Sequence, residues 1–293
     1  MLFNELSLYY ILYTYIYIYI LLMTSKLSAY TFIKFLGKGS FGTVGLYSKN
    51  KSKYVIKNIA GSAGKSMNYS ERFIPWLVKV MTPNHLCHEN IVCMLDFFTE
   101  SNGNLYLVYE YVEGIDLFNW TLKNPAPSTA SLFLVKLGIS KDIVSAVSYL
   151  HIKSIAHRDI KPQNIIIGTN FRAILADFGF ACLENVIKNK TYRALFKDEE
   201  LVYIMCDDVP KYIGTPRFIP PELETKKGFI SYQVCDVYSL GKTLEFLFAG
   251  EHGIPILDRC ISSMINPNPV LRTSAQACLD IINEILHHIN AKK

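Results

Sequence analysis

Two short runs in the second half of the chain carry the side chains best suited to chemistry. Residues 157–164 read HRDIKPQN, and residues 177–179, which read DFG, begin eighteen residues after Asp159. Phosphoryl transfer requires a side chain that orients the attacking hydroxyl, oxygen ligands for Mg²⁺, and cations that balance developing negative charge. Asp159 can meet the first requirement and Lys161 the third. Asn164 and Asp177 offer oxygen atoms to the metal, so the two runs together indicate phosphoryl transfer.

A glycine-rich segment upstream is suited to holding phosphates. Residues 37–44 read GKGSFGTV and lie between two apolar runs that we predict to be strands. Glycine lets the backbone approach phosphate oxygens closely, although the pattern alone also fits a flexible hairpin. A helix should follow such glycines in a dinucleotide-binding fold, and here a strand follows. Lys57 ends the next apolar run, where its ammonium would lie near a bound nucleotide. Without the neighbouring motifs, Lys57 would be interpreted as an ordinary surface lysine.

The elements that must position these groups change character along the chain. Residues 30–110 read as short strands around one helix, separated by Gly, Ser, Lys and Asn turns. From residue 128 the apolar residues recur at three- and four-residue steps, which predicts long buried helices. A strand-rich part followed by a helix-rich part predicts an α+β fold in two lobes. The predicted strands are 30–36, 44–48, 54–58, 91–98, 105–109 and 173–176, and the predicted helices include 132–150, 239–248 and 274–289.

Composition and charge exclude several classes of protein. Half of the 293 residues are hydrophobic and the net charge is +5, with no run of five or six like charges. Neither a nucleic-acid partner nor a polybasic membrane surface is therefore expected. The seven cysteines are scattered without a C-x-x-C pair, which predicts reduced thiols and a cytoplasmic location. The histidines and cysteines within residues 85–93 match no standard zinc spacing, so no metal is predicted there.

The N-terminal segment has a different composition. Residues 6–23 contain no charged side chain, and their length of 18 just reaches that of a membrane-spanning candidate. Tyrosine alternates with isoleucine over residues 15–20, and so many tyrosines are unusual at the centre of a bilayer. The basic N-terminal region and the small-residue cleavage site of a signal peptide are also missing. Three interpretations stay open: a membrane anchor, a disordered or sticky extension, or sequence upstream of a true start at Met23. We favour the last two, and any membrane association would go through residues 6–23.

Taken together, the two runs, the glycine-rich segment and Lys57 resemble those of eukaryotic-type protein kinases, over about residues 30–289. The resemblance implies a small, strand-rich N-lobe at residues 30–112 above a helical C-lobe at residues 113–293, with residues 1–29 as an extension. It implies that ATP and Mg²⁺ bind between the lobes and that the γ-phosphate passes to a protein substrate. Lys161 and Thr215 resemble the serine/threonine branch, so serine and threonine hydroxyls are the implied acceptors.

The resemblance also assigns the residues of the nucleotide site. Asp159 would be the catalytic base, Lys57 would hold the α- and β-phosphates, and the glycines would cover them. Tyr109 would be a bulky gatekeeper before the hinge, whose backbone bonds the adenine edge, and Asp116 would reach the ribose. The implied set comprises Asp159, Lys161 and Lys57 as catalytic residues, Asn164 and Asp177 as metal ligands, and Leu36, Gly37, Lys38, Gly39, Ser40, Phe41, Gly42, Val44, Val55, Glu110, Val112, Asp116 and Ile166 as further ATP-binding residues.

Other implied roles are structural or regulatory. Asp236 would anchor the loop that carries Asp159, and Glu222, at the end of the activation segment, would pair with Arg272. Arg158 could receive a phosphate added to Thr191, Tyr192 or Tyr203, in an insertion around residues 185–208. The equally favoured alternative is that these hydroxyls are unmodified polar groups of a surface loop. Glu71 is the best candidate partner for Lys57. However, Pro75 follows four residues later, so the helix is either irregular there or begins near Pro75 and leaves Glu71 in a loop.

Two other functions compete with this interpretation, and one feature of the sequence departs from the usual pattern of protein kinases. A pseudokinase would keep the fold and lose transfer, but Lys57, Asp159, Asn164 and Asp177 all stand here. A membrane-tethered interaction protein would use residues 6–23 and explain none of the motifs. Few residues separate Asp236 from Arg272, so the helix that helps kinases to dock protein substrates is predicted to be short or missing.

Overall fold

The computed structural model describes most of the chain from Leu27 onward. The segments 1–26 and 185–205, which the sequence assigned to an extension and to an insertion, lie outside the described residues. No helix within the described part of the chain is both long and apolar enough to cross a membrane. The described residues are 27–39, 42–60, 72, 74–75, 78–79, 87–100, 103–184, 206, 214–225, 231–248, 250–251 and 253–291.

The first part of the described chain forms a five-stranded antiparallel sheet with the order β1-β2-β3-β5-β4. Asn50 and Lys51 join β2 to β3 with φ values of 51° and 67°, the backbone that suits the twist of a two-residue hairpin. All five predicted strands of this part are confirmed, the fourth beginning later than expected. The strands are β1 (Thr31–Gly39), β2 (Gly42–Lys49), β3 (Ser52–Ile59), β4 (Met94–Thr99) and β5 (Leu105–Glu110).

A helix packs against this sheet. Residues 72, 74, 75, 78 and 79 are helical, and Ile74 and Val78 are buried in the core. The guanidinium of Arg72 lies 4.0 Å from the ring centroid of Phe97 in β4. The helix therefore includes Arg72, three residues before Pro75, and the position of Glu71 relative to its start lies outside the described residues.

The second part is largely helical, as predicted. Short strands between the helices form two small sheets, β6-β8-β9 and β10-β7, which hold the loops between them. The elements are β6 (Gly114–Asp116), α1 (Leu117–Lys123), α2 (Ala130–Ile152), β7 (Ile155–Ala156), β8 (Ile165–Gly168), β9 (Ala173–Leu175), β10 (Cys182–Leu183), α3 (Pro221–Thr225), α4 (Tyr232–Phe248), α5 (Pro255–Met264) and α6 (Ala275–Asn290).

The two parts share a core, which fixes the cleft between them. Ile91 bridges Leu175 in parallel. Val92 N donates to Leu175 O at 2.9 Å, and Leu175 N donates to Asn90 O at 2.8 Å. A single cluster of buried side chains runs from β3 and β5 through α2 to α6. The strand that precedes Asp177 is thus bonded to residues 90–92, which lead into β4 of the sheet that carries Lys57.

The sequence predicted a short or missing helix between Asp236 and Arg272. Among the described residues between the end of α4 and Arg272, the α-helix is α5, which has 10 residues. α5 leads through Met264 into the turn before Arg272. The prediction of a short or missing docking helix stays a prediction.

The cysteines depart from the sequence prediction. Disulfides join Cys87 to Cys93 and Cys182 to Cys206, whereas Cys235, Cys260 and Cys278 are buried thiols. The prediction of reduced thiols throughout is wrong because the partners meet through the fold, at Cα–Cα distances of 5.4 and 5.0 Å, and sequence spacing does not reveal such pairs.

One buried ion pair joins α2 to the loop after α4. Lys136 is fully buried, and its Nζ lies 2.7 Å from Glu251 Oε1. The same carboxylate oxygen accepts a hydrogen bond from Ser128 Oγ at 2.7 Å. Since a buried ammonium is stable only beside its counter-charge, this pair locks the loop onto α2.

Replacing Glu251 with glutamine is expected to lower the free energy of unfolding by about 3–5 kcal/mol, because Lys136 stays buried without a negative partner. Urea unfolding at pH 7 measures this loss. The matched control is Glu245→Gln, whose carboxylate pairs with Lys242 and is 47% exposed. That variant should lose about 0–1 kcal/mol. Equal losses in the two variants would contradict the role assigned to burial.

Candidate active site

A buried carboxylate in α4 holds the loop that contains Asp159. Asp236 is 1% exposed, and its two oxygens accept hydrogen bonds from His157 N at 2.6 Å and Arg158 N at 2.7 Å. Nε2 of His151 lies 3.2 Å from the same carboxylate. Arg158 has φ 68°, a conformation that needs such outside support in a residue with a side chain. The anchoring geometry is the one that the sequence assigned to Asp236.

Asp159 lies at the centre of a polar cluster. Its Oδ2 accepts hydrogen bonds from Lys161 Nζ at 2.7 Å and from Asn164 Nδ2 at 2.8 Å. Its Oδ1 accepts one from the Thr215 hydroxyl at 2.9 Å. Lys161 Nζ also donates to Thr215 Oγ1 at 2.7 Å. The structure therefore brings Lys161 and Thr215, two residues singled out from sequence, onto the same carboxylate.

Asn164 and Asp177 are neighbours through the backbone. Ala176 N donates to Asn164 O at 2.8 Å, so the residue before Asp177 is fixed to the loop that carries Asn164. The Asn164 amide donates through Nδ2 to Asp159 O and Oδ2, both at 2.8 Å, which directs its Oδ1 away from that carboxylate. The amide oxygen of Asn164 and the Asp177 carboxylate, which is 41% exposed, are ligand types that suit Mg²⁺, which prefers oxygen ligands and retains water.

The aromatic ring after Asp177 fixes the turn. Phe178 is 1% exposed, and its ring centroid lies 4.9 Å from that of His157 in an edge-to-face contact. His157 Nε2 lies 3.2 Å from Ala176 O. Asp177 itself has φ 66°, and the buried ring and the histidine contact hold that uncommon conformation in place.

Lys57 and Asp177 form an ion pair across the cleft. Lys57 Nζ lies 2.9 Å from Asp177 Oδ1, and the lysine is 7% exposed. Burial by itself would raise the pKa of the Asp177 carboxyl, but the Lys57 ammonium outweighs it, helped by His157 and by the Gly179 N–H, so that the pKa lies below its usual range. The ionised carboxylate therefore stabilises the folded state above the unfolded pKa of about 3.9, and this contribution is lost as the pH falls through the folded pKa.

Replacing Lys57 with methionine is expected to raise the pKa of Asp177, because burial of the carboxyl raises its pKa and the main positive charge that opposes this effect is then gone. Titration of ¹³C-labelled aspartate carboxyl groups by NMR measures the shift. Lys161→Met is the matched control, since its ammonium bonds Asp159 and not Asp177. An Asp177 pKa that is the same in the wild type and in Lys57→Met would contradict the ion pair.

The apolar residues assigned to adenine border the cleft. Val44, Val55 and Ile166 are half-buried, and Leu36 is 42% exposed. Val44 pairs with Lys57 across β2 and β3, and Val55 pairs with Tyr109 across β3 and β5. Tyr109, the residue assigned as gatekeeper, is 6% exposed. Val44 and Val55 thus belong to the five-stranded sheet and Ile166 to β8, and each keeps part of its surface exposed.

The hinge residues make contacts that sequence did not predict. Glu110 Oε1 accepts from Cys93 N at 3.0 Å, and Glu110 N donates to Cys93 O at 3.0 Å. Asp116 is the N-cap of α1: its Oδ1 accepts from Asn119 N at 2.9 Å and its Oδ2 from Asn119 Nδ2 at 2.7 Å. To bond the ribose, Asp116 would thus have to use a carboxylate that already caps α1. Val112 is half-buried against the common core.

The glycine-rich segment is a hairpin. Gly37 pairs with Val44 and Gly39 with Gly42 across β1 and β2, so the predicted strand–loop–strand is confirmed. A Cβ on Gly42 would lie 1.9 Å from Asn58 O, which is why only glycine fits there. Lys38 is exposed at the end of this hairpin. Ser40 and Phe41, at its tip, lie outside the described residues.

Glu222 and Arg272, which the sequence predicted to pair, form an ion pair. Arg272 Nη1 and Nη2 donate to the two oxygens of Glu222 at 2.6 and 2.7 Å, and Nη1 also donates to Val234 O at 3.1 Å. This bidentate bond joins α3, at the end of the activation segment, to the C-terminal helices. Glu71, the candidate partner of Lys57, lies outside the described residues, as do Thr191, Tyr192 and Tyr203.

Sequence reasoning missed one positioning residue. Glu184 is 6% exposed, and its carboxylate accepts hydrogen bonds from Tyr232 N and Gln233 N, both at 3.0 Å. It therefore satisfies the first N–H groups of α4, the helix that carries Asp236. A glutamate at the edge of an insertion gives no sequence signal for a partner 48 residues away.

Comparison with known proteins agrees with this geometry. The sequence profile of the protein kinase domain matches residues 30–291. Serine/threonine-protein kinase GE16371 of Drosophila yakuba is 29% identical over 277 residues, which make up 88% of this chain and 32% of that protein. CBL-interacting serine/threonine-protein kinase 12 of Arabidopsis thaliana is 28% identical over 243 residues, 81% of this chain and 43% of that protein. The chain thus spans less than half the length of these relatives.

Proposed function

The chain belongs to the protein kinase family, and on that premise we propose that it transfers the γ-phosphate of ATP to serine and threonine hydroxyls of protein substrates. One observation carries the proposal: Lys161 and Thr215 meet on the Asp159 carboxylate while Lys57 pairs with Asp177. Together these groups supply a base, cations and metal ligands at one cleft, which is what phosphoryl transfer requires. The pseudokinase alternative receives no support from this arrangement.

The hydrogen bonds of Asp159 support the proposal that it is the base. A carboxylate offers about four acceptor sites. Among the described residues three are used, two on Oδ2 by Lys161 and Asn164 and one on Oδ1 by Thr215. The remaining site on Oδ1 can accept the hydroxyl of a substrate serine or threonine, orient its oxygen and take its proton as the new O–P bond forms.

The other residues act on the phosphates. The Lys57 ammonium can leave Oδ1 of Asp177 and bond the α- and β-phosphates, and Lys161 can balance charge on the transferred group. Asn164 and Asp177 would hold Mg²⁺, which neutralises and orients the β- and γ-phosphates when bound. The hairpin of residues 37–44 would cover the phosphates with its backbone N–H groups. The exposed Leu36 and the half-buried Val44, Val55 and Ile166 would hold the adenine.

A labelled-phosphate assay tests the function. The full chain is incubated with Mg²⁺, γ-³²P-ATP and casein, and the labelled amino acids are separated after acid hydrolysis. We expect label on phosphoserine and phosphothreonine that is lost when EDTA removes Mg²⁺. Tight ATP binding without any transfer would instead identify a pseudokinase, and label on phosphotyrosine would overturn the assignment to the serine/threonine branch.

Two further expectations remain predictions. A nucleic-acid partner is not expected from the mild net charge of +5, and a membrane contact would have to use residues 6–23. The cytoplasmic location was inferred from reduced cysteines, and that argument weakens because four of the seven are paired.

A further inference from the structure

One arginine stands close to the catalytic cluster in a backbone conformation that arginine disfavours. Residues 215–218, which read TPRF, form a turn closed by a hydrogen bond from Phe218 N to Thr215 O at 3.0 Å. Pro216 takes the second place of the turn and Arg217 the third, with φ 78°. These are features of a type II turn, whose third place favours glycine because a Cβ is crowded there. The turn itself therefore does not account for an arginine at this place.

The turn is held at both ends, which fixes Arg217 relative to the catalytic aspartate. At one end the Thr215 hydroxyl donates to Asp159 Oδ1 at 2.9 Å. At the other end Ser239 Oγ donates to Phe218 O at 2.8 Å. Thr215 and Phe218 both line the cavity that Asp159 also lines. Since two residues of chain span at most about 7 Å, the Cα of Arg217 lies within that distance of the Cα of Thr215.

The acceptor hydroxyl of a substrate would lie beside this turn. The site that remains on the Asp159 carboxylate is on Oδ1, the same oxygen that the Thr215 hydroxyl bonds. A substrate serine or threonine that donates to Oδ1 is therefore next to Thr215, and the residues that flank it pass the turn. Because an extended peptide advances about 3.3–3.6 Å per residue, Arg217 can reach substrate residues up to roughly four places from the acceptor.

The Arg217 guanidinium is open to a partner. Arg217 is exposed, and no hydrogen bond or ion pair engages its side chain within the part of the chain that the structure describes. The neighbouring cations differ, since Lys161 is bonded within the catalytic cluster and Arg158 is only 7% exposed. Arg158, the sequence-based candidate for a phosphate ligand, donates to Phe180 O at 3.3 Å and lies 4.5 Å from the ring centroid of Tyr232.

We propose that Arg217 selects protein substrates that carry an acidic residue near the acceptor serine or threonine, by pairing its guanidinium with that carboxylate. This inference rests on the proposed function and names the class of substrate. A guanidinium presents its N–H donors in a planar fork that matches the two oxygens of a carboxylate. The fixed turn positions this fork beside the acceptor. Because Arg217 touches no reacting atom, its pairing should lower KM for the peptide and leave kcat unchanged.

The test compares peptides that share one serine and carry glutamate, alanine or lysine at each of roughly four places on either side of it. Phosphate transfer from γ-³²P-ATP gives kcat and KM for each peptide. We expect kcat/KM to be about fivefold higher with glutamate than with alanine at one or two adjacent places, the upper end for an exposed ion pair. Added salt should shrink this difference because it screens exposed charges. Equal kcat/KM for the three residues at every place would overturn the proposal.

Variants at residue 217 assign the preference to this side chain. Arg217→Gly keeps the turn, because glycine suits φ 78°, and should make the glutamate and alanine peptides equal. Arg217→Glu should favour the lysine peptides, and Arg217→Lys should retain part of the preference for glutamate. The matched control is Arg259→Ala, at an exposed position of α5, which should behave as the wild type. A preference for glutamate that persists in Arg217→Gly would show that another group recognises the acid.

A binding measurement separates this inference from the proposed function. Labelled peptides in which alanine replaces the acceptor serine are titrated with the protein and a non-hydrolysable ATP analogue, and binding is followed by fluorescence anisotropy. The Kd should be about fivefold lower for the glutamate peptide than for its alanine counterpart in the wild type, and equal in Arg217→Gly. If no peptide is phosphorylated, the proposed function fails, while equal Kd values in the wild type would overturn the role of Arg217.

Discussion

Replacing Asp159 with asparagine is expected to reduce kcat for phosphate transfer by at least about 10²-fold, the usual cost of removing a general base that also orients the nucleophile. Asparagine keeps the size of the side chain but cannot take the proton of the substrate hydroxyl. Its NH₂ group would also face donors, because Lys161, Asn164 and Thr215 all donate to the native carboxylate. The measurement is the steady-state rate with γ-³²P-ATP and casein.

The Michaelis constant for ATP separates this role from a general structural one. Asp159 touches the acceptor side of the site, so we expect the KM for ATP to change little in Asp159→Asn. Asp280→Asn, at an exposed position of α6, is the control for the substitution itself and should keep the wild-type rate. A rate in Asp159→Asn within about threefold of the wild type would be too small a loss for a general base and would contradict the assignment.

Replacing Asp177 with asparagine is expected to cost at least about 10²-fold in kcat as well, through the metal rather than through the proton. The substitution removes the negative charge that would hold Mg²⁺ and leaves Lys57, which is 7% exposed, without this ion-pair partner. The distinguishing result is a higher Mg²⁺ concentration for half-maximal rate, obtained by Mg²⁺ titration at saturating ATP.

The Asp159 and Asp177 variants should therefore differ in how their rates depend on the Mg²⁺ concentration. In Asp159→Asn the half-maximal Mg²⁺ concentration should change less than in Asp177→Asn, since the Asp177 carboxylate is kept and Asn164 Nδ2 can still bond the backbone oxygen of residue 159. In Asp177→Asn it should rise. If both variants lost rate with the same unchanged Mg²⁺ dependence, the assignment of Asp177 as a metal ligand would be wrong.

Local patterns predicted much of the fold. The alternation of apolar residues located the strands of the first part, and the three- and four-residue steps located α2, because both periods follow from how backbones expose side chains. The helix that carries Asp236 was harder: it begins at Tyr232, seven residues before the predicted start. Its early turns are capped by Glu184 from another part of the chain, which a local pattern does not contain.

Sequence by itself determined which residue types stand within one loop or strand of each other, such as Asp159, Lys161 and Asn164, since a few bonds of backbone limit how far apart they can lie. Only the tertiary structure decided the partners that are distant along the chain: Thr215 on Asp159, Lys57 on Asp177, and Cys206 on Cys182. These contacts depend on how whole elements pack, and a periodic pattern records which face of an element is buried but not what lies against it.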